Sequence, residues 1–195
     1  MGIYIDIHTH HPTPTHPSPE GVGVHPWHAS TALLDEEAMR QATLIGEIGL
    51  DYACGVSREV QQNVFCRQLS LAEHLAKPVV LHCVRAFEPV MQCLARYVLR
   101  AVIFHGFIGS RQQAEQAVKR GYFLSFGEGA FRSPRTLEAL RWTPSTHLFL
   151  ETDEAPTPIE KIYEQTARER GVSVEEMQQQ IEENYNKIFS QSNEQ

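Results

Sequence analysis

Hydrophobic and polar positions divide the chain into short apolar runs and longer segments in which an apolar residue recurs every three or four positions. Continuous apolar runs are typical of strands that are buried on both faces, and the longer spacing is typical of amphipathic helices. Their alternation predicts a parallel sheet covered by helices. We expect strands at about 3–8, 21–25, 44–48, 78–82, 101–105, 122–126 and 147–151.

Helices are expected between these strands and after the last one. The clearest lies at 58–76, where the apolar residues share one face. The others are expected at about 89–99, 111–120, 134–140, 158–170 and 174–190, and residues 192–195 are expected to fray. Ser110 and Ser173 are the expected N-caps, and Gly121 and Gly171 the expected helix ends. The pattern contains no linker and therefore indicates a single α/β domain over residues 1–195.

The charge and the cysteines limit the classes of function. A formal charge of −7 on 195 residues provides no general electrostatic attraction for the nucleic acid backbone, which argues against a scaffold-type DNA-binding protein. It leaves a nuclease open, because bound divalent cations can supply positive charge at one spot. The four cysteines have no C-x-x-C spacing and indicate reduced thiols. With no apolar run long enough for a membrane span and no secretory signal, we expect a cytoplasmic protein.

Side chains able to bind a metal stand where the apolar runs end. The six candidates are His8, His10, Glu47, His82, His105 and Asp153. Parallel strands gather their C-terminal ends on one face, which is where α/β barrels build active sites. His8 and His10 are two apart in an extended segment, so both imidazoles point to the same side. A single histidine at a strand end is more often a hydrogen-bonded surface residue, but its recurrence at several strand ends favours a site for divalent cations such as Zn, Mn, Co or Fe.

Ordered motifs extend this picture to nearly the whole chain. Between residues 6 and 153 the sequence reads, in order, DIHTH, GVHPWH, GEIGLDY, QLSLAEHLAKPVVLHCVRAFEPV, FHGFIGS, GYFLSFG and ETD, and it closes with RERGVSVEEMQQQIEENYNKIF. In these motifs the chain resembles the TatD-like metal-dependent hydrolases, a branch of the amidohydrolase-type barrels. The resemblance implies a TIM-barrel-like metallo-dependent hydrolase fold and the activity of a deoxyribonuclease.

The same resemblance implies ligands for one or two divalent cations per chain. His8 and His10 would bind one metal, and Glu47 would bridge it to a second. His82 and His105 would hold the second metal. The resemblance leaves the metal open among Zn, Mn, Mg, Co and Fe.

Two carboxylates would carry the catalytic roles. The resemblance implies that Asp153 completes the first metal site and moves protons, beside the bridging Glu47. Cations of this kind lower the pKa of a bound water and polarise a phosphoryl oxygen. Asp51 and Glu151 are expected to hydrogen-bond the ligands and hold them in place.

Further residues near the expected site are candidates for substrate binding. His25 and His28 in GVHPWH could contact a substrate phosphate or orient a ligand, or the loop could simply pack around Trp27. Arg85 could bind a phosphate through its planar fork of donors, and a structural salt bridge is an equal alternative.

Two departures from the family pattern concern its loops. The segment 11–20, rich in Pro, Thr and Ser, is a predicted loop and is too short for the strand–helix unit that the family has there. We therefore expect an incomplete or distorted barrel of seven strands, whose open edge makes a homodimer possible. After Asp153 the run E-A-P-T-P replaces the family's usual loop, which leaves the substrate open.

Three functions follow, in order of preference. The first is a phosphodiesterase, specifically a deoxyribonuclease acting on DNA ends, which the resemblance implies. The second is a hydrolase of a small amide, lactone or phosphoester, which the negative charge favours. The third is a catalytically weak interaction protein, against which the retention of all six ligand positions argues.

Overall fold

The computed structural model describes residues 2–190 of the chain. These residues form two compact units, one made of residues 20–104 and the other of residues 2–19 and 105–190. We call them the 20–104 unit and the discontinuous unit. The single domain expected over residues 1–195 stays a prediction, and the expected fraying at 192–195 lies outside the described residues.

The strands of the 20–104 unit form one parallel arrangement. They are β1 (Gly21–Val22), β2 (Leu44–Asp51), β3 (Val79–Val84) and β4 (Val102–Phe104), paired in the order β1–β2–β3–β4. The helices are α1 (Glu36–Gln41), α2 (Arg58–His74) and α3 (Phe87–Leu94). The register places Gly49 of β2 opposite His82 of β3. This pairing brings the C-terminal half of β2 beside a predicted metal ligand.

The discontinuous unit contains two parallel strands and four helices. The strands are β5 (Phe123–Phe126) and β6 (Leu148–Leu150). The helices are α4 (Arg111–Lys119), α5 (Pro134–Trp142), α6 (Ile159–Arg170) and α7 (Val174–Phe189). Both strands are fully buried, as their largely apolar sequence predicts. The parallel α/β class that the sequence pattern indicates is therefore present in both units.

The predicted helix boundaries are confirmed at their caps. Ser110 begins α4 and Ser173 begins α7, each in a capping box that satisfies backbone N–H groups of the first turn. Gly171 ends α6 in the left-handed conformation, with φ of 68°, and Gly121 follows α4 with φ of 78°. A side chain at such a φ is strained, which explains why glycine stands at both positions.

The expectation of seven strands is wrong by one, because the first apolar run is extended without forming a strand. Ile5 and Ile7 are buried, as expected for a strand. The backbone of this run pairs only at separate points: Ile7 N–H donates to Leu150 O at 3.1 Å, and Asp6 N–H donates instead to Pro17 O at 3.0 Å in the neighbouring loop. An interrupted ladder leaves six strands among residues 2–190.

Three smaller observations complete the fold. Residues 11–20 contain neither helix nor strand, as their composition predicts. Helix α1 was not expected, because only Met39 of its six residues is buried and the apolar pattern is too weak. No helix within residues 2–190 combines the length and the apolar character that crossing a membrane requires.

Candidate metal centres

The six predicted metal ligands are divided between the two units. The discontinuous unit contains His8, His10, His105 and Asp153, and the 20–104 unit contains Glu47 and His82. Each unit groups its own ligands with further histidine or carboxylate side chains.

The first group consists of His8, His10 and Asp153, which we call the His8 cluster. The Oδ1 atom of Asp153 lies 3.6 Å from Nε2 of His8 and 3.4 Å from Nε2 of His10. One donor atom from each residue lies within 4.8 Å of the other two. Two imidazole nitrogens and a carboxylate oxygen at such spacing form a suitable ligand set for a borderline divalent cation.

Backbone contacts hold the His8 cluster together. Asp153 N–H donates to His8 O at 3.0 Å, and His10 N–H donates to Asp153 O at 3.0 Å. Asp153 itself has φ of 55°, a left-handed conformation that costs free energy for a residue with a side chain. The reciprocal hydrogen bonds fix this conformation, which aims the carboxylate towards the two imidazoles.

A buried carboxylate lies beneath the His8 cluster. Asp6 accepts hydrogen bonds from Thr152 N at 3.0 Å and from Thr152 Oγ1 at 2.6 Å. Thr152 Oγ1 also lies 2.9 Å from Oγ1 of Thr9. Burial raises the pKa of Asp6 from 3.8 to about 6, against the lowering effect of its hydrogen bonds. These contacts tie the segment that carries both histidines to the segment that carries Asp153.

A second carboxylate–histidine pair adjoins the His8 cluster. Glu151 is fully buried, and its Oε1 accepts a hydrogen bond from Gly106 N at 2.6 Å and lies 3.3 Å from Nδ1 of His105. Burial alone would raise the pKa of Glu151, but the charge and hydrogen bond of His105 and the charge of His8 lower it by more. Donor atoms of His105, Glu151 and Asp153 lie within 4.8 Å of one another.

The other carboxylate oxygen of Glu151 provides a test of whether these residues suit a metal. Its Oε2 is buried and has no hydrogen-bond partner among residues 2–190. An ionised oxygen without a partner is costly in a protein interior. A nearby cation would offset that cost, so the donor set and its electrostatics fit a divalent ion.

The 20–104 unit contains a group that we call the Glu47 cluster, made of His25, Glu47 and His82. The Oε1 atom of Glu47 lies 2.6 Å from Nδ1 of His82 and 3.3 Å from Nε2 of His25. All three side chains are half-buried. His25, expected from the sequence as a substrate-binding residue, thus lies among ligand-type side chains, while its role stays a prediction.

Asp51 lies next to the Glu47 cluster and contacts its member His82. Its Oδ2 accepts a hydrogen bond from Trp27 Nε1 at 2.6 Å and lies 3.2 Å from Nε2 of His82, and its Oδ1 accepts one from Ala53 N at 2.8 Å. Burial would raise the pKa of Asp51, but these hydrogen bonds together lower it. A carboxylate that holds one imidazole nitrogen leaves the other nitrogen facing Glu47, which is the usual arrangement around metal-bound histidines.

Two residues around Asp51 had no signal in the sequence. The side-chain amide of Gln61 bonds both ways with the Asp51 backbone, accepting from N and donating to O at 2.8 Å each. Gly49 has φ of 144°, and a Cβ there would lie 2.0 Å from His82 O. Only glycine permits this close approach of β2 to β3, so Gly49 fixes the position of His82.

The remaining substrate-binding candidates, Arg85 and His28, lie close in sequence to members of the Glu47 cluster. Arg85 follows β3, is exposed and has φ of 52°. Among residues 2–190 it forms no ion pair, so the alternative of a structural salt bridge lacks support. His28 is exposed, with its ring centroid 6.3 Å from that of His25.

Space for a substrate adjoins Asp153 in the discontinuous unit. A cavity of about 260 Å³ is lined by residues that follow β4, β5 and β6, with Gly106, Gly127 and Gly129 among them. Arg132 and Glu128 also line it and form an ion pair with each other. The glycines expose backbone rather than side chains, which leaves room beside the proposed ligands.

Comparisons with known proteins identify relatives over most of the chain. A family model described as TatD related DNase matches residues 19–190. Human "Deoxyribonuclease TATDN3" is 32% identical over 161 residues, covering 74% of this chain and 59% of the human protein. The "3'-5' ssDNA/RNA exonuclease TatD" of Pantoea ananatis is 32% identical over 199 residues, covering 86% of this chain and 76% of that protein.

A solved structure shows the same fold. The crystal structure of YJJV, a TatD homologue from Escherichia coli, matches with a TM-score of 0.80 and 27% identity, covering 89% of this chain and 77% of that one. This match confirms the predicted TIM-barrel-like metallo-dependent hydrolase fold. The chain is shorter than its relatives, spanning 59% of the length of the human protein.

Proposed function

Because the chain belongs to the family of TatD-related DNases, we propose that it is a metal-dependent phosphodiesterase that hydrolyses DNA. The observation that carries the proposal is the presence of ligand-type clusters in both units, where His8, His10 and Asp153 meet in one and His82 meets Glu47 in the other. Relatives named as a deoxyribonuclease and as a single-stranded DNA and RNA exonuclease support the choice of substrate.

The metal ligands are proposed cluster by cluster. His8, His10 and Asp153 would hold one divalent cation, and Glu47 with His82 would hold another. The bridging role of Glu47 and the pairing of His82 with His105 on one metal stay predictions from the family resemblance. The ligands suit Zn, Mn, Mg, Co or Fe, because imidazole and carboxylate together accept all of these ions.

Bound cations in such a site polarise a phosphoryl oxygen and lower the pKa of water. Around them, this chain orients the ligands and handles the proton. Asp153, whose Oδ1 lies near both imidazoles, is proposed to accept a proton from the attacking water and return it to the leaving oxygen. Asp51 and Glu151 hold His82 and His105 in fixed orientations. Arg85, exposed beyond β3, is proposed to bind a substrate phosphate.

A small phosphoester is the second candidate substrate. The net charge of −7 gives no broad attraction for a DNA backbone. The interaction-protein alternative is disfavoured, because both clusters keep side chains of metal-ligand type with donor atoms within 4.8 Å of one another.

Hydrolysis assays separate these functions. The protein is stripped with a chelator, reloaded with Mn²⁺ and given single-stranded DNA or a panel of phosphoesters. We expect hydrolysis of DNA that is lost with chelator and in His10→Ala, and retained in His74→Ala, a control at an exposed histidine of α2. Hydrolysis of phosphoesters but not DNA would select the second candidate. Absence of both, or full activity in His10→Ala, would contradict the proposal.

The cellular setting also belongs to the proposal. We retain a cytoplasmic location and a possible homodimer as predictions. Sedimentation equilibrium tests the homodimer: a mass twice that of the chain is expected, and the mass of a single chain would contradict it.

A further inference from the structure

We propose that Trp27 is a stacking platform for a nucleobase of the substrate. The inference rests on the proposed function, because it assumes a nucleic acid substrate at the Glu47 cluster. It adds a binding element that the ligand set does not contain, namely an aromatic surface for a base. The class of ligand is a single-stranded end, whose bases are not already stacked in a duplex.

The exposure of Trp27 is the first observation. The residue keeps 56% of its surface exposed, on the short 3-10 turn Pro26–His28. The packing role considered for it in the sequence would require burial. A large aromatic side chain in water beside ligand-type residues is instead typical of a binding surface.

The orientation of the indole ring is the second observation. Its Nε1–H donates to Asp51 Oδ2 at 2.6 Å, and Asp51 is itself 4% exposed. The backbone N–H of Trp27 donates to Nδ1 of His25 at 3.2 Å. The hydrogen bond to this buried carboxylate thus fixes the orientation of the ring before any ligand binds. Little side-chain freedom is lost on binding, which favours affinity.

The position of the ring relative to the Glu47 cluster is the third observation. Its centroid lies 4.8 Å from the ring of His25 and 6.2 Å from the ring of His82. Both imidazoles stand nearly perpendicular to the indole, at 84° and 73°, so neither is stacked on it. A nucleotide whose phosphate is bound at the cluster carries its base one sugar away, and a ring at these distances is within reach of that base.

The charge of the chain explains why such a contact matters. Most proteins that bind single strands combine a positive groove with aromatic stacking. A chain with a net charge of −7 lacks the first contribution over most of its surface. Stacking tolerates any base, because every base has a π-face, and it depends little on charge. Stacking on Trp27 therefore contributes affinity for the end of a nucleic acid strand, which the net charge of the protein does not provide.

Fluorescence tests the contact directly. The chain has two tryptophans, so Trp142→Phe in α5 leaves Trp27 as the only one, and its emission can be excited selectively against the six tyrosines. The Mn²⁺-loaded variant is titrated with a phosphorothioate oligothymidylate and with the same backbone bearing abasic sugars. Quenching by the base-bearing strand alone is expected. Equal responses to the two strands, or no quenching by the base-bearing strand at concentrations that inhibit or saturate the enzyme, would overturn the proposal.

Kinetics provides the second test and separates stacking from the hydrogen bond. Trp27→Leu and Trp27→Phe both lose the bond to Asp51, but only phenylalanine keeps an aromatic face. We expect Trp27→Leu to raise KM for single-stranded DNA by about tenfold, and Trp27→Phe to raise it by less. On the abasic strand, which has no base to stack, the two variants should have the same kcat/KM. Equal KM values for the leucine and phenylalanine variants would refute stacking.

The two proposals fail in different ways. If the wild-type protein hydrolyses no phosphodiester, the proposed function fails. If it hydrolyses DNA while Trp27→Leu keeps the wild-type KM, only the stacking role fails.

Discussion

The free energy of unfolding of the wild-type protein is expected to fall as the pH rises and Asp6 ionises. Asp6→Asn should lack this part of the pH dependence. Asp6 is 5% exposed and accepts two hydrogen bonds from Thr152. Burial raises its pKa from 3.8 to about 6, outweighing the hydrogen bonds. The folded protein therefore holds this proton more tightly than the unfolded chain does.

The sign and size of the effect follow from the two pKa values. The stabilisation due to protonated Asp6 is complete below pH 3.8 and is lost as the pH rises through about 6. The whole shift corresponds to about 3 kcal/mol, and about 2 kcal/mol of it falls between about pH 4.5 and about pH 7.5. Asn does not titrate, so Asp6→Asn lacks this loss. Any hydrogen bond weakened by the amide costs a similar amount at both pH values and cancels in the comparison.

Urea unfolding at these two pH values measures the effect. A chelator is present throughout, because a cation at His8 would change the pKa of Asp6. The free energy of unfolding of Asp6→Asn, relative to wild type, is expected to rise by about 2 kcal/mol from the lower to the higher pH. Glu175→Gln, at an exposed carboxylate of α7, is the control and should show no such rise. A relative stability of Asp6→Asn that is the same at both pH values would refute the reasoning.

Two further predictions concern backbone geometry and a half-buried cation. Gly49→Ala is expected to lower the free energy of unfolding by about 3 kcal/mol and to weaken Mn²⁺ binding, because its Cβ would lie 2.0 Å from His82 O at a positive φ. Gly55→Ala, where a Cβ meets nothing within 4 Å, should do neither, and equal effects of the two would contradict the account. Arg170→Met is expected to cost about 2 kcal/mol, because Arg170 Nη1 donates to carbonyls at the end of α5 at 2.6 and 2.7 Å. Chemical denaturation measures this loss, and an unchanged midpoint would be inconsistent with it.

The elements that local pattern controls could be predicted from the sequence. Ser110 and Ser173 mark helix starts because a side-chain oxygen followed by a polar residue three positions later forms a capping box. The buried strands β5 and β6 follow from largely apolar runs. The first run shares this apolar character but lacks a regular ladder, which depends on partners far along the chain. The pattern of apolar residues along the sequence cannot show whether such a run finds a partner strand.

The candidate site was predictable in part for the same reason. His8 and His10 could be found because they stand two apart at the end of an apolar run, and they meet Asp153. Asp51 was expected to hydrogen-bond a ligand, and it contacts His82. The rest of this network, its bond to Trp27, could not be predicted, because it joins side chains 24 positions apart in the chain. The orientation of Trp27 depends on that network, so the sequence left it as a packing residue.

Manganese binding to the chelator-stripped protein tests the central claim most directly. Equilibrium dialysis should show Mn²⁺ bound by the wild type, with less bound by His10→Ala in the discontinuous unit and less by His82→Ala in the 20–104 unit. His74→Ala should bind as much as the wild type. Binding that is equal in all four proteins, or absent from the wild type with both Mn²⁺ and Zn²⁺, would contradict the assignment of these clusters as metal centres.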